Sequence, residues 1–388
     1  MNKIIASKIW NHLEAQREEM LQFLIQLVEE ESPSFNREAQ LGVLNLLQKK
    51  IEALGFYVLH VPGKETGGYL YARPFFRDKK KPIQLLIGHC DTVWNINTLK
   101  EMPITRQKGK IRGPGIYDMK AGLTQILFSI KTIQDLSLKI PVTPVILVNS
   151  DEEIGSKEST TIIERLAKIS NRAFILEPPL GLTGKLKTSR KGIGRFTITV
   201  KGKAAHAGLD PTKGVNAIVE LSHQVQQLFA MNDLGKGISV NVGMIEGGIS
   251  ANVIAPESKA IVDVRVLTEA DGEFITKKIY QLQPSILNIE LIVEGGIGRP
   301  PMEKTKGNIK LWQLAKANGK LLELELKEAT AGGGSDGNTT SLYTPTLDGL
   351  GTTGDGAHAN HEFIFLDKLP ERTALVSLLL LADPLNSN

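Results

Sequence analysis

Residues 142–156 read VTPVILVNSDEEIGS. The first seven form a short, continuous apolar run, as in a strand buried on both faces. The next eight set three acids side by side where that strand would end. Strands of this kind belong to parallel sheets covered by helices, and ligand sites in such sheets lie beyond the carboxyl ends of the strands. Adjacent carboxylates repel one another unless a cation compensates them. Taken alone, the motif fits either a cation site or a solvated acidic loop.

Working outward, IQLLIG (83–88) and AFIL (173–176) read as further buried strands. Residues 37–54 carry apolar groups at helical spacing, with Gly55 placed as a C-terminal cap. Helical stretches at 119–135 and 156–169 lie between the strands. The alternation predicts an α/β fold, a mostly parallel sheet with helices on both faces. The pattern changes after Gly184. Strands at 196–202, 238–245, 258–266 and 288–293, with helices at 214–229 and 269–282, give the order βαββαβ. That order describes a self-sufficient, ferredoxin-like open-faced sandwich. From Arg299 helix and strand alternate again. The expected organisation is one domain from 1–186 and 299–388, with a second domain, 187–298, inserted in it.

A chain of 388 residues is long enough for two cores. Its 46 basic and 42 acidic residues are interspersed and leave a net charge of +4, without the blocks of a nucleic-acid or membrane-surface binder. Cys90 is the single cysteine, so no internal disulfide is possible. The opening MNKIIASKIWNHLEAQ has no signal-peptide pattern, and LVSLLLLA (375–382) is too short to span a bilayer. A cytoplasmic location is expected.

Polar clusters recur just past the strands. In GHCDTVW (88–94), His89 and Asp91 share a side of an extended chain, and Cys90 points the other way as a small buried residue. A metal-bound imidazole usually hands its other N–H to a carboxylate, a role Asp91 can take for His89. In RGPGIYDMKAG (112–122), Asp118 opens a helical stretch, which suits a helix cap as well as a ligand. Glu152 and Glu153 diverge as neighbours, so one can bind metal while the other acts on a water. Glu177 follows AFIL directly, and GDGAHANHEF (354–363) holds His358 and His361 in a glycine-rich loop. Imidazole and carboxylate donors without a thiolate cluster suit a catalytic zinc pair.

In order, GHCDTVW, GPGIYDMKAG, SDEEIGS, EP, GKAAHAG, GGISANVIAP and GAHANHEF resemble the co-catalytic zinc peptidase and deacylase family. That family includes glutamate carboxypeptidase, aminoacylase, acetylornithine deacetylase and succinyl-diaminopimelate desuccinylase. GHCDTVW with Trp94, DEEIGS and RKGIG look closest to the glutamate carboxypeptidase branch.

The resemblance implies two Zn²⁺ per chain, one held by His89, Asp118 and Glu177, the other by Asp118, Glu153 and His358. Asp118 would bridge, Glu152 would be the general base, and Asp91 would support His89. A cis peptide is implied at Asp118–Met119. His361 stands where the family pattern has an acid, and Glu362 remains. Three carboxylates against two dications leave one positive charge to acidify water. The inserted domain would dimerise, with His206 and Asn252 binding substrate and His206 reaching the partner's site. Arg265 suits fork-like recognition of a carboxylate, or an exposed ion pair at a strand end. Arg299, in GRPP, is a further anion contact.

The expected activity is hydrolysis of an amide next to a free carboxylate, releasing a C-terminal amino acid from a small peptide or N-acyl amino acid. Alternatives are an N-acyl amino acid deacylase, a di- or tripeptide aminopeptidase, and a binding protein without chemistry.

Overall fold

The computed structural model describes residues 2–385 and divides into two compact units. The first runs to Thr188 and resumes with Lys304–Thr330 and the chain from Ser335 onward; the second comprises Ser189–Glu303 and Ala331–Gly334.

The first unit is built on a six-stranded sheet in the order Phe56–Val61, Tyr69–Pro74, Thr143–Asn149, Ile83–His89, Ser170–Ile175, Thr346–Leu347. The last four are mutually parallel, whereas Tyr69–Pro74 joins Phe56–Val61 and Thr143–Asn149 antiparallel. Side chains alternate between two cores, as the two-residue repeat of a strand requires. Leu86, Ile146, Val148 and Phe174 enter one cluster with the helices Ala121–Asp135 and Lys368–Leu380. Leu85, Ile87, Val145, Leu147 and Ile175 enter the other, covered by Ile163 and Leu166 of helix Thr160–Ile169. Burial on both faces explains the mainly apolar runs, since each such apolar side chain contributes about 1.5–3 kcal/mol relative to exposure.

LVSLLLLA (375–382) closes the first core at the end of helix Lys368–Leu380. No helix among the described residues is long and apolar enough to cross a membrane. The expected helix at 119–135 starts at Ala121, and the strand expected at 142–148 is Thr143–Asn149.

A small antiparallel sheet, in the order Gly354–Asp355, Phe363–Phe365, Lys110–Arg112, Thr105–Gln107, completes the placement of the site. Phe363 pairs with Arg112, so the hairpin containing residues 356–362 lies beside the segment that leads to Asp118.

The second unit has the order Gly192–Lys201, Ala217–Phe229, Ser239–Gly247, Glu257–Val266, Glu269–Tyr280, Glu290–Arg299. Its antiparallel sheet runs Ser239–Gly247, Glu257–Val266, Gly192–Lys201, Glu290–Arg299. Phe196, Ile198, Val200, Val262 and Val264 face Leu221, Leu228, Ile275 and Ile279 of the two helices, forming the βαββαβ sandwich. The last strand extends to Arg299, beyond the expected 288–293. Gly295, Gly296 and Gly298 supply no side chains to reveal its alternation.

Candidate metal centre

Three parallel strands end side by side and deliver most of the polar cluster. Ile83–His89 ends on His89, paired with Asn149 at the end of its neighbour, and Glu152 and Glu153 follow that neighbour. Ser170–Ile175 leads to Glu177. Asp118 arrives from the loop after Lys110–Arg112, and His358 from the hairpin beside it. The helix beginning at Ala121 has no side-chain cap, so the capping alternative for Asp118 is not the one used. The Asp118–Met119 peptide is cis.

Asp118 faces two histidines. Its Oδ1 stands 3.3 Å from His89 Nε2, and its Oδ2 stands 3.5 Å from His358 Nε2. Glu177 Oε1 is 3.3 Å from His89 Nε2, and Glu153 Oε2 is 3.1 Å from His358 Nε2. These contacts make two clusters that share Asp118. His89 Nε2 and Asp118 Oδ1 are buried, yet neither makes a hydrogen bond.

Burial opposes a charge on His89, but the carboxylates of Asp118, Asp91 and Glu177 hold its pKa well above the ordinary value. Asp118 and Glu153 raise His358 to about 10. Glu153 is pushed up by burial. His358 is half-exposed and carries φ +60°, a left-handed conformation uncommon outside glycine.

Two buried facing donor atoms without hydrogen bonds, His89 Nε2 and Asp118 Oδ1, together with crowded carboxylates and a nitrogen–oxygen donor set, fit divalent cations. His89, Asp118 and Glu153 present ligand atoms that all lie within 4.8 Å of one another. The same is true of His89, Glu152 and Glu177, a range that suits Glu152 both as a ligand and as a base acting on a nearby water.

The carboxylate of Asp91 does more than stand beside His89. His89 Nδ1 donates to the backbone carbonyl of Asp91 at 3.0 Å, while the carboxylate stands 3.4 Å away. That carboxylate also accepts the backbone N–H groups of Glu152 and Glu153, each at 3.2 Å, and the Ser34 hydroxyl at 2.7 Å. Asp91 therefore orients the imidazole through its backbone and the glutamate pair through its side chain. Cys90 is buried in the core, which pushes its thiol pKa up.

In the hairpin, His361 is exposed and has no hydrogen bond or ion pair among the described residues. Glu362 is fully buried and accepts from four N–H groups, those of Gly115, Tyr117, Asp118 and the Trp94 indole. Burial raises it to about 7 against those donors. The sequence reading gave Glu362 no task; its one signal is an acid in a glycine-rich loop directly before the apolar strand Phe363–Phe365.

The remaining candidates belong to the second unit. His206 Nδ1 accepts the backbone N–H groups of Gly208 and Leu209, both at 3.1 Å. Backbone N–H groups only donate, so the ring is the tautomer with its proton on Nε2, leaving that N–H as a donor on an exposed residue. Ala207 N–H donates to the Asn252 carbonyl at 2.9 Å, which brings the His206 and Asn252 loops together. Arg265 donates from Nε and Nη2 to Asp263, at 2.7 and 2.9 Å, the strand-end ion pair that was its alternative reading. Arg299 packs on Gly334, where a Cβ would fall 2.8 Å from its Cδ.

Residues 188–285 match the peptidase dimerisation domain of the M20 family. Carboxypeptidase G2 of Pseudomonas sp. (strain RS-16) is 29% identical over 370 residues, covering 93% of this chain and 88% of that protein. Among solved structures, aminopeptidase PepT from Bacillus cereus ATCC 10987 superposes with a TM-score of 0.79 at 20% identity, covering 94% of this chain and 98% of that one. Bacillus subtilis YXEP, described as a dinuclear metal-binding peptidase, gives a TM-score of 0.73 at 15% identity over 95% and 98%. Along most of its length the chain is similar to metallopeptidases of the M20 family, and its residues 188–285 match that family's dimerisation domain.

Proposed function

We propose that this hydrolase cleaves an amide bond adjacent to a free carboxylate, releasing a C-terminal amino acid with the aid of two zinc ions. The observation that carries the reading is Asp118, with one oxygen toward His89 and the other toward His358. A carboxylate so placed suits two cations sharing one ligand. His89, Asp118 and Glu177 would hold one ion, and Asp118, Glu153 and His358 the other. When bound, such ions would polarise a carbonyl and acidify water.

The chain's own residues do the rest. Glu152, its backbone held by Asp91, takes the proton of the attacking water and passes it to the leaving nitrogen. His206, with its proton on Nε2, offers an N–H to the oxyanion in the neighbouring subunit, and Asn252 orients the substrate there. Arg265 is braced by Asp263 along the Nε–Nη2 edge, so its outer edge can take the α-carboxylate, with Arg299 as a further anion contact. Residues 1–186 and 299–388 carry the chemistry, and 187–298 serve as lid and dimerisation domain. The exposed Met244 and Ile245 on edge strand Ser239–Gly247 support a homodimer. A buried free thiol as the sole cysteine suits a reducing, cytoplasmic setting.

Carboxypeptidase G2 supports the C-terminal reading by its name and coverage. The test is a panel that varies the released amino acid and the acyl or peptidyl group separately, with and without chelator. Chelator-sensitive release of free amino acid from N-acyl substrates supports the proposal; cleavage confined to free N-termini defeats it.

A further inference from the structure

Glu362 joins three segments of the first unit. Its Oε1 accepts Tyr117 N–H at 2.8 Å and Asp118 N–H at 3.0 Å. Its Oε2 accepts Gly115 N–H at 2.8 Å and the Trp94 indole N–H at 2.9 Å. A carboxylate has about four acceptor positions, and here four donors occupy them. No neutral isostere does the same. Whichever way a glutamine amide is turned, its NH₂ group meets two N–H groups and leaves buried donors unpaired. Gly115 is at φ +70°, and a Cβ there would fall 2.5 Å from Thr92 Cγ2, so this loop approaches Glu362 in a form few residues can adopt.

The two clusters depend on this carboxylate unequally. His89 ends a central strand with Nδ1 bonded to the Asp91 carbonyl, and Glu177 follows another strand of the same sheet. Asp118 and His358 both lie on loops outside that sheet. His358 is four residues from Glu362 within the tight turn formed by Ala359 N–H to Gly356 O and Glu362 N–H to Ala359 O, both 2.9 Å. Glu362 thus ties the loop of one of these residues to the backbone N–H of the other.

We propose that Glu362 is a positioning residue that sets Asp118 and His358 relative to each other and so controls occupancy of the Asp118–Glu153–His358 metal position. This inference rests on the two-metal reading. Replacing Glu362 weakens the second ion selectively and leaves the ion at His89 and Glu177 in place.

The experiment titrates metal-free wild-type and Glu362→Gln protein with Zn²⁺ by calorimetry. Metal per chain is measured at buffered zinc, and the thermal midpoint of each metal-free form is recorded. The expected result is two ions in the wild type. In the variant the tighter ion binds within about threefold of wild type, and the second is weakened by about tenfold or more, the usual effect of removing a group that supports a ligand. Turnover of an N-acyl amino acid should fall in kcat with KM little changed. Trp94→Phe removes one donor of the four and should weaken the second ion less, which keeps the inference testable if Glu362→Gln does not fold. Wild-type affinity for both ions in either folded variant, even with a lower thermal midpoint, overturns the inference, as does equal weakening of both. A wild-type chain that binds a single ion overturns the two-metal reading itself, an outcome separate from the other two.

Discussion

His89 Nε2 and Asp118 Oδ1 face each other 3.3 Å apart in the interior, and neither makes a hydrogen bond. Buried polar atoms are almost always paired, and leaving one unpaired costs about 1–3 kcal/mol. A cation between the two relieves both at once, along with the repulsion among Asp118, Glu153 and Glu177.

Metal removal should therefore affect folding as well as activity. Chelation is expected to abolish turnover and lower the thermal midpoint, and added Zn²⁺ should restore both, because a ligand at about 1,000 times its Kd adds about 4 kcal/mol of stability. Elemental analysis of the reconstituted protein should give close to two zinc ions per chain. A folded sample that never exceeds one contradicts the shared role of Asp118.

Glu152 and Glu153 should separate cleanly. Glu152→Gln is expected to keep both metals and lose about 10²-fold or more in kcat, the usual scale of general-base catalysis. Glu153→Ala should lose one metal, and with it activity. Equal metal loss in both variants, with activity recovered in excess zinc, contradicts this division.

Asp91 offers a test that follows from the structure. Its carboxylate accepts the backbone N–H groups of both glutamates, so Asp91→Asn turns an amide donor toward at least one of them. We expect kcat to fall about 10- to 100-fold. Ser34→Ala, which removes the hydroxyl donor at 2.7 Å, should have a smaller effect. Wild-type kinetics in Asp91→Asn contradict the clamp.

The dimer reading is tested by complementation. Mixing inactive His206→Ala chains with inactive Glu152→Gln chains should restore part of the activity, since one site of each mixed dimer keeps both groups. Proven subunit exchange without recovery contradicts a role for His206 across the dimer.

Much of the fold is legible in the sequence because its determinants are local. Ile83–His89 and Thr143–Asn149 are buried on both faces and read as largely apolar runs, and the second unit shows its βαββαβ order through the spacing of its apolar residues. His89, Glu152, Glu153 and Glu177 stand out for the same reason, each following a buried strand. Asp118 is harder to read, since an acid near a helix start suits a cap equally well. Its backbone is held by Glu362, 244 residues away, a contact that no local pattern reveals. Asp91 is only partly legible, because a His-x-Asp segment offers both a backbone and a side-chain acceptor to the imidazole. The further donors to its carboxylate, from Glu152, Glu153 and Ser34, are brought by packing that no local pattern reveals.

Paired substrates test the central claim most directly. An N-acyl glutamate and its α-carboxamide, assayed with wild type and Arg265→Ala, isolate recognition of the free carboxylate. The account predicts that the acid is hydrolysed, with chelator sensitivity, at a kcat/KM at least about 10-fold above the amide, because the outer edge of Arg265 makes charge-assisted hydrogen bonds with a carboxylate that a neutral amide cannot match. Arg265→Ala should erase most of that difference. Equal cleavage of acid and amide, or cleavage only of peptides with a free N-terminus, contradicts it.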